Sequence, residues 1–353
     1  MAKTFATLMD EIQSDLGDDT TTYTDAKVTI QLEKALRKIS DLKPRVVQYT
    51  YELESRTGTA TSTLSTWLVD TAAQFIVAND VGKVIYNTDD RTWAKVISNG
   101  ANSTTQLNLS KDIMASGESY KMFNEKCWSN KQIYLGDIPD YVGENHGVIA
   151  LEYKTLKDPR KYRTFKVEGD ILTLDITSDP PDSSDSDADI EVFVWMERKH
   201  QVTQQTITTL YVDLGAGYSA GDTAILVDYD GGAVTGTIKA GTNFTIHETR
   251  GDYITTADAT FSNNEVTLQI FPALQNDIAD NKTVWLMKSS LDDILERLAV
   301  EIGASYCALA LQANAVSIGG QNVYARYETK LAIALSELRS LTPLRTKRTW
   351  PKD

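Results

Sequence analysis

The apolar residues between Leu291 and Leu341 constrain this chain more than any other stretch, because they recur at helical spacing over two long segments. Residues three and four apart lie on one face of a helix with about 3.6 residues per turn. We therefore predict two long helices near the C-terminus, separated by a break at Ile318-Gly319-Gly320. The apolar positions of the first helix are Leu291, Ile294, Leu295, Leu298, Ile302, Tyr306 and Leu309, and those of the second are Tyr324, Tyr327, Leu331, Leu335 and Leu338.

A second pair of helices is predicted near the N-terminus. Residues 4–16 carry an apolar stripe that stops at Gly17, a residue suited to a left-handed C-terminal cap. Residues 26–42 carry another stripe, which ends before Pro44. The wide apolar face of the C-terminal helices must be buried, and the N-terminal helices are the nearest candidate. We therefore expect a helical core whose two halves lie at opposite ends of the chain.

Between the helices the hydrophobic period changes to two, and the composition becomes rich in Thr, Ser and Gly. Short apolar runs separated by turn residues are typical of a small β-barrel or sandwich, and residues 191–197 are apolar on both faces, as in a central strand. The predicted fold class is α+β, with a split helical core, a central β region and two inserted small β-barrel or sandwich modules. The predicted boundaries are 1–54 for the N-terminal core helices and strand, 55–123 for the first β module, 124–201 for the core β region, 202–288 for the second β module, 289–342 for the C-terminal core helices and 343–353 for an extended tail.

The two predicted β modules resemble each other in the spacing of their apolar residues. Generic alternation in β-strands produces part of such a match, so the sequence leaves both a duplication and a chance similarity open. The segments that align are 107–113 with 268–274, 120–123 with 284–287, and 84–86 with 244–246.

The formal net charge of −14 at pH 7 restricts the class of partner. A general nucleic-acid binder needs a basic face to displace counterions from phosphates, so we exclude that class, although DNA could still slide past such a surface. No apolar run is long enough to span a bilayer, and the N-terminus lacks the order of a signal peptide, so no membrane partner is expected. Cys127 and Cys307 lie far apart, which favours a reducing cytosol over a disulfide or zinc scaffold.

No motif of a catalytic or cofactor site is present in the sequence. A nucleophile elbow, a phosphate-binding loop and GxGxxG are all missing. His146, His200 and His247 have no partners at the spacing of a zinc site, so we interpret each as a surface or structural residue. A glycan hydrolase needs two carboxylates on a rigid cleft, and no such pair stands out. We therefore predict a protein that is not an enzyme and holds no cofactor or metal.

Residues 182–189 form an acidic run. Its spacing begins like the calcium loop of an EF-hand, but Ile190 stands where the turn glycine is required and Met196 where the bidentate glutamate belongs. Clustered like charges stay hydrated, so we interpret the run as a loop facing solvent or the lumen of an assembly, with an adventitious calcium site as the alternative. Its acidic residues are Asp182, Asp185, Asp187 and Asp189.

The last residues, 343–353, carry a net positive charge, whereas the whole chain is acidic. Trp350 and Pro351 supply an apolar anchor and an extended backbone. An exposed terminus with these features can dock on a complementary partner surface, and a frayed basic end is the alternative. The positive residues of this tail are Arg345, Lys347, Arg348 and Lys352.

The order of these elements resembles the head-to-tail adaptor (connector) proteins of tailed bacteriophages. That family has a short N-terminal helix, a loop and a second helix, as predicted here for 4–16 and 25–42. An alanine-rich helix, a second long helix and a short extended tail follow near its C-terminus, and residues 291–299 running into 308–311 resemble the alanine-rich helix. The Thr/Gly-rich modules are similar to small β modules inserted into phage neck and tail proteins.

The resemblance implies a ring, typically of twelve copies, fixed beneath the portal protein in the neck of the virion. Such a ring extends the DNA channel and carries a downstream tail or neck protein, and its subunits are made in the host cytoplasm. The acidic charge agrees with a lumen that repels the DNA backbone, so that DNA passes without sequence-specific binding. The tail residues, Trp350 among them, would insert into the portal.

A second hypothesis is a binding or adhesion protein of the phage tail or capsid surface. Trp67, Trp93 and Trp285 lie in the predicted β modules and motivate it, because aromatic side chains suit glycan recognition. Binding of glycans by these modules would favour this hypothesis over the adaptor.

Overall fold

The computed structural model describes residues 3–17, 20–73, 75, 80–99, 104–182, 189–205, 207–249, 251–312 and 321–341. Helices and strands are both extensive, which confirms the mixed α+β class. The helices are α1 (Phe5–Asp15), α2 (Asp25–Leu42), α3 (Asp293–Gln312) and α4 (Gln321–Leu341). The strands are β1 (Arg45–Glu52), β2 (Thr57–Thr59), β3 (Ser62–Leu64), β4 (Trp67–Val69), β5 (Val84–Asn87), β6 (Thr92–Asn99), β7 (Gln106–Leu109), β8 (Ser119–Phe123), β9 (Gln132–Tyr134), β10 (Val148–Glu152), β11 (Phe165–Glu168), β12 (Ile171–Leu174), β13 (Glu191–Arg198), β14 (Thr209–Val212), β15 (Ala224–Asp228), β16 (Thr237–Ile238), β17 (Asn243–Ile246), β18 (Tyr253–Thr255), β19 (Ala259–Thr260), β20 (Glu265–Phe271) and β21 (Thr283–Leu286).

The N-terminal helices follow the local signals of the sequence. Thr4 caps α1, and its hydroxyl accepts a hydrogen bond from the N–H of Thr7 at 3.3 Å. The helix stops before Gly17, which has a φ of 87° and so takes the left-handed conformation that glycine adopts without strain. The bounds of α1 and α2 agree with the sequence prediction to within one residue at each end.

Side chains from all four helices form one hydrophobic cluster. Leu8 of α1, Leu32 of α2, Leu298 of α3 and Leu338 of α4 are fully buried in it. The predicted apolar stripe of α3 is wrong at Ile294, which is 46% exposed. The predicted break at 318–320 lies outside the described residues.

The core β region consists of two three-stranded sheets that face each other. One has the order β1-β13-β10 and the other β11-β12-β9. Tyr49, Val194 and Leu151 from the first sheet pack with Ile133 and Leu172 from the second in a cluster that we call the sandwich core. β13 lies in the centre of its sheet, which confirms the prediction for 191–197.

Residues 207–286 include a closed barrel with the strand order β14-β15-β20-β18-β17-β21, which we call barrel 2. Its interior holds apolar side chains such as Leu210, Ile225, Phe244 and Leu268. The short pair β16 and β19 lies beside it.

Residues 57–123 form a sheet with the order β2-β8-β5-β6-β7-β4-β3. Only Ala60 and Thr61 separate β2 from β3, so residues 57–64 are one bent segment that pairs with β8 at one end and β4 at the other. This segment closes the sheet on itself, and we call the result barrel 1. With it counted as a single strand, barrel 1 and barrel 2 have the same topology.

The residue register of the two barrels also agrees across several strand pairs. The aligned segments 107–113 and 120–123 fall on strands that match their partners in barrel 2, which favours duplication over chance. The matched cross-strand pairs are Leu68–Leu107 with Ile225–Leu268, Ile85–Met122 with Phe244–Leu286, Ile85–Ala94 with Phe244–Tyr253, and Val96–Leu109 with Thr255–Ile270.

The turn before the last strand is built in the same way in both barrels. Gly117 donates its N–H to the carbonyl of Ala60 at 2.7 Å, and Asn281 donates to the carbonyl of Val212 at 2.8 Å. Both donors have a positive φ, 93° for the glycine and 60° for the asparagine. Glycine and asparagine are the residues that best tolerate this conformation.

The predicted alignment of 84–86 with 244–246 is wrong by one residue. Ile85, and not Val84, occupies the position of Phe244. The error has a physical cause, because Val84 and Tyr86 pack outside the barrel, so the strand is apolar on both faces. Alternation alone therefore does not identify its inner face.

A buried ion network fixes barrel 1 to the core. Arg56 Nη2 lies 2.7 Å from Glu54 Oε2, Arg56 Nη1 donates to Asp80 at 3.1 Å, and Lys83 Nζ lies 2.6 Å from the same Glu54 oxygen. Burial opposes ionisation of Glu54, but Lys83 and Arg56 outweigh it and hold the pKa of that carboxyl well below its usual range. Removing one partner would leave a buried charge uncompensated, so the junction is held in one arrangement.

Aromatic and aliphatic contacts attach barrel 2 to the core. Ile254 of β18 and Phe271 at the end of β20 pack into the sandwich core. The Phe271 ring centroid lies 5.0 Å from that of Tyr51 and 6.0 Å from that of Tyr49. Barrel 2 therefore lies against the face of the β1-β13-β10 sheet that is turned toward the sandwich core.

Replacement of Leu298 by alanine tests the helical cluster. Because its side chain is fully buried, Leu298→Ala should lower the free energy of unfolding by about 2–5 kcal/mol. Ile294→Ala, on the exposed side of the same helix, should cost less than about 1 kcal/mol. Urea unfolding followed by far-ultraviolet circular dichroism measures both. Equal losses for the two variants would contradict the cluster.

Candidate interaction site

The connection between β10 and β11 contains five cations within ten residues. We call residues 154–163 the basic loop, and its sole anion is Asp158. Such a concentration of positive charge stands out in a chain with a net charge of −14. The cations are Lys154, Lys157, Arg160, Lys161 and Arg163.

Backbone hydrogen bonds close the base of the basic loop. Tyr153 donates its N–H to the carbonyl of Lys161 at 3.0 Å, and Arg163 donates its N–H to the carbonyl of Leu151 at 3.0 Å. The Arg163 side chain adds a bond from Nε to the carbonyl of Tyr153 at 2.8 Å. The two ends of the loop are therefore held together.

The basic loop lies at the β10 edge of the β1-β13-β10 sheet, where Tyr162 pairs with Glu152. Val194 of β13 points into the sandwich core, so the adjacent Trp195 faces the other side. The Tyr162 ring of the loop lies 5.8 Å from that of Trp195. Barrel 2 packs through Phe271 on Tyr49 and Tyr51 of β1, so the loop and barrel 2 lie at opposite edges of this sheet.

A buried carboxylate anchors the middle of the loop. Glu152, at the end of β10, is almost fully buried, and its Oε1 accepts a hydrogen bond from the N–H of Leu156 at 3.1 Å. Its other oxygen, Oε2, lies 3.9 Å from Arg160 Nε. Charged acceptors make stronger hydrogen bonds than neutral ones, and a buried one strongly favours its bonded geometry. Glu152 thus determines the shape of the loop.

The outer part of the basic loop combines charge with an apolar side chain. Leu156 is 71% exposed, and the cations Lys157, Arg160 and Lys161 around it are also exposed. A single exposed leucine is ordinary, but this one lies on an anchored loop among cations. This arrangement suits contact with an acidic surface that also offers an apolar side chain.

The acidic run predicted from the sequence contacts this loop at its C-terminal end. Asp189 pairs with Lys154 and with Lys157, each at 3.3 Å. The hydrogen bond from Lys154 is the main reason that the pKa of Asp189 is below its ordinary value. Asp182 is half-buried and accepts a hydrogen bond from the hydroxyl of Thr57 at 3.4 Å. The carboxylates at the two ends of the run, Asp182 and Asp189, are therefore both only partly exposed.

Two other parts of the predicted site lie outside the described residues. Asp185 and Asp187 belong to the middle of the acidic run, and the whole tail, 343–353, follows α4. The tail comprises the predicted portal-docking residues Arg345, Lys347, Arg348, Trp350 and Lys352, and that role stays a prediction.

The three histidines take part in local contacts. His146 Nε2 lies 2.8 Å from Asp170 Oδ1, and His247 Nδ1 lies 3.5 Å from Glu248 Oε1. His200 is buried, and burial lowers its pKa. Among the described residues, no group of three or more His, Cys, Asp and Glu side chains is arranged to hold a metal ion.

The tryptophans of the two barrels differ in their surroundings. Trp93 is 38% exposed, and its ring centroid lies 4.3 Å from that of Tyr86 on barrel 1. Trp285 is exposed on barrel 2, whereas Trp67 is half-buried. Trp93 and Trp285 lie on strands that are not equivalent, so the duplicated topology does not repeat an aromatic surface.

Comparisons with known proteins identify no family for this chain. No family model matches it, and no curated protein is significantly similar to it. Within the described ranges, no helix combines the length and the apolar character needed to cross a membrane.

Replacement of Glu152 by alanine tests the anchor of the basic loop. Glu152→Ala removes the acceptor for the N–H of Leu156, so the loop should open more often and trypsin should cleave after its lysines and arginines severalfold faster. Mass spectrometry of a timed digest measures the rate at each site. Glu168→Ala removes an exposed carboxylate that pairs with Lys166 and is the control. Equal cleavage rates in the two variants would contradict the anchoring role.

Proposed function

We propose that this chain is a structural protein of a tailed-bacteriophage virion, a head-to-tail adaptor built as a split helical core with two inserted β modules. Its ring docks beneath the portal protein, extends the DNA channel and carries a downstream tail or neck protein. The protein is made in the host cytoplasm and resides in the virion neck. It has no catalytic role.

The observation that carries this proposal is the helical cluster shared by the two ends of the chain. α1 and α2 pack with α3 and α4, although the sandwich and both barrels lie between them in sequence. Such a base is suited to assembly into a ring, because it joins the two ends of the chain in one element that each copy can repeat. The same order of elements carries the resemblance to the adaptor family.

Charge supports the part of the proposal that concerns DNA. A net charge of −14 per copy, repeated around a ring, gives a channel that repels phosphates. DNA then passes without being held. The basic tail, 343–353, is the segment proposed to bind the portal.

Deletion of the tail tests the docking step. The intact chain mixed with its portal should form a complex of defined mass, and a chain lacking 343–353 should not, because the cations and Trp350 are the proposed contacts. Native mass spectrometry measures the assembly. Trp350→Ala serves as the matched variant of full length and should weaken the complex without abolishing it. Unchanged assembly after the deletion would remove the docking claim.

A second function, glycan binding by a surface adhesion protein, is favoured by the exposed Trp93, whose ring packs against that of Tyr86. Aromatic side chains supply large contact area at low entropic cost. If barrel 1 binds glycans in this way, the intact chain should bind specific members of a glycan array, and Trp93→Ala should lose that binding. Trp285→Ala, on the other barrel, is the matched control. An array without bound glycans would exclude this function in favour of the adaptor.

A further inference from the structure

Barrel 2 carries an acidic patch at one end, which we define as Asp213, Asp228, Asp230 and Glu265. Asp228 and Glu265 lie directly opposite each other in the register of β15 and β20. Like charges in this arrangement are destabilising. Burial, followed by the charges of Asp230 and Asp213, raises the pKa of Asp228. No ion pair involving these four carboxylates occurs in the described part of the chain.

The acidic patch lies away from the contact between barrel 2 and the core. Ile254, which enters the sandwich core, lies opposite Phe271 in the register of β18 and β20, so both core contacts are at the same end of the barrel. The other core contact, Phe271, ends β20, whereas Glu265 begins it. Six residues of extended strand span about 20 Å. The patch therefore lies at the far end of the barrel.

The basic loop lies at the β10 edge of the core sheet, where Tyr162 pairs with Glu152, whereas barrel 2 packs through Phe271 on β1 at the other edge. Each copy thus presents positive charge on one side and negative charge on the other. Each surface also has an exposed leucine. Leu156 lies in the basic loop, and Leu214, 40% exposed, follows Asp213 at the acidic patch.

We propose that the basic loop of one copy docks on the acidic patch of a second copy. The contact is head-to-tail, because the two surfaces differ, and a head-to-tail contact closes into a ring when its rotation permits. Exposed Arg160 and Lys161 meet the carboxylates around Asp228, and the two leucines contact each other. This inference rests on the proposed ring and deepens it by naming the contact between its subunits.

Several observations favour a second copy over nucleic acid as the occupant. Asp189 already pairs with Lys154 and Lys157, which lowers the charge that the loop can offer to phosphates. The net charge of −14 opposes approach of DNA. The acidic patch of a second copy offers the loop a surface of locally opposite charge. Phosphates also offer nothing to the exposed Leu156, whereas a protein surface does.

Charge reversal on each side tests the contact. The first variant combines Arg160→Glu with Lys161→Glu, and the second combines Asp228→Lys with Asp230→Lys. Each alone places like charges across the contact, so self-association should weaken at least about tenfold. An equal mixture of the two variants should assemble again, because every contact then joins opposite charges. A chain that carries all four substitutions should also assemble by itself.

Sedimentation velocity measures self-association, and circular dichroism verifies that each variant is folded. Lys111→Glu combined with Lys121→Glu changes the net charge equally on barrel 1 and should assemble like the unmodified chain. If either charge-reversed variant associated with itself as strongly as the wild type does, the contact would be overturned. Failure of both the mixture and the fourfold variant to assemble would overturn it as well. If the wild type bound DNA, and the loop variant lost that binding but still assembled, the loop would be a nucleic-acid contact instead.

Portal binding, measured in parallel, separates this inference from the adaptor role. A reversed variant that still binds the portal through its tail but forms no ring supports the contact. A wild-type chain that binds the portal without associating with itself overturns the contact and leaves the adaptor role standing. A wild-type chain that does neither overturns both.

Discussion

Burial of one apolar surface by helices from opposite ends of the chain is the constraint on which the rest of the structure depends. α3 approaches the N-terminal helices so closely that a Cβ atom at Gly303 would lie 2.7 Å from Ile12 Cδ1 and 3.9 Å from the Cα of Leu32. An isolated α1 of eleven residues would be marginal in water. The N-terminal helices therefore owe their stability to a partner that is synthesised last, and the chain between α2 and α3 must return to them after forming the sandwich and both barrels.

The two barrels share topology and register but are attached by different physical means. Barrel 1 is fixed by the buried charges of Glu54, Arg56, Asp80 and Lys83, whose geometry is strict because each charge needs its partners. Barrel 2 packs through Phe271 and other apolar contacts, which are less directional. One fold thus occurs twice with different outer surfaces. Barrel 1 exposes an aromatic pair, and barrel 2 exposes unpaired carboxylates.

The sequence predicts the elements of this fold better than their surfaces. Helical periodicity located α1 and α2 to within one residue, and the spacing of apolar residues located three strands in each barrel, β5, β7 and β8 in barrel 1 and β17, β20 and β21 in barrel 2. Alternation failed at Val84, because that residue packs on a cluster outside the barrel. The basic loop was missed, although the spacing of its cations is visible in the sequence. Its shape depends on the burial of Glu152 and on the pairing of Asp189 with Lys154 and Lys157, neither of which a local sequence pattern reveals.

Hydrogen exchange of the intact chain at increasing urea tests the shared helical base most directly. Amides of Phe5–Asp15 and Asp25–Leu42 should lose protection at the same urea concentration as those of Asp293–Gln312, because elements that share one core open together. The barrels, with their own hydrophobic interiors, should open at other concentrations. Loss of protection in the N-terminal helices at clearly lower urea, with α3 still protected, would contradict a single helical core shared by the two ends of the chain.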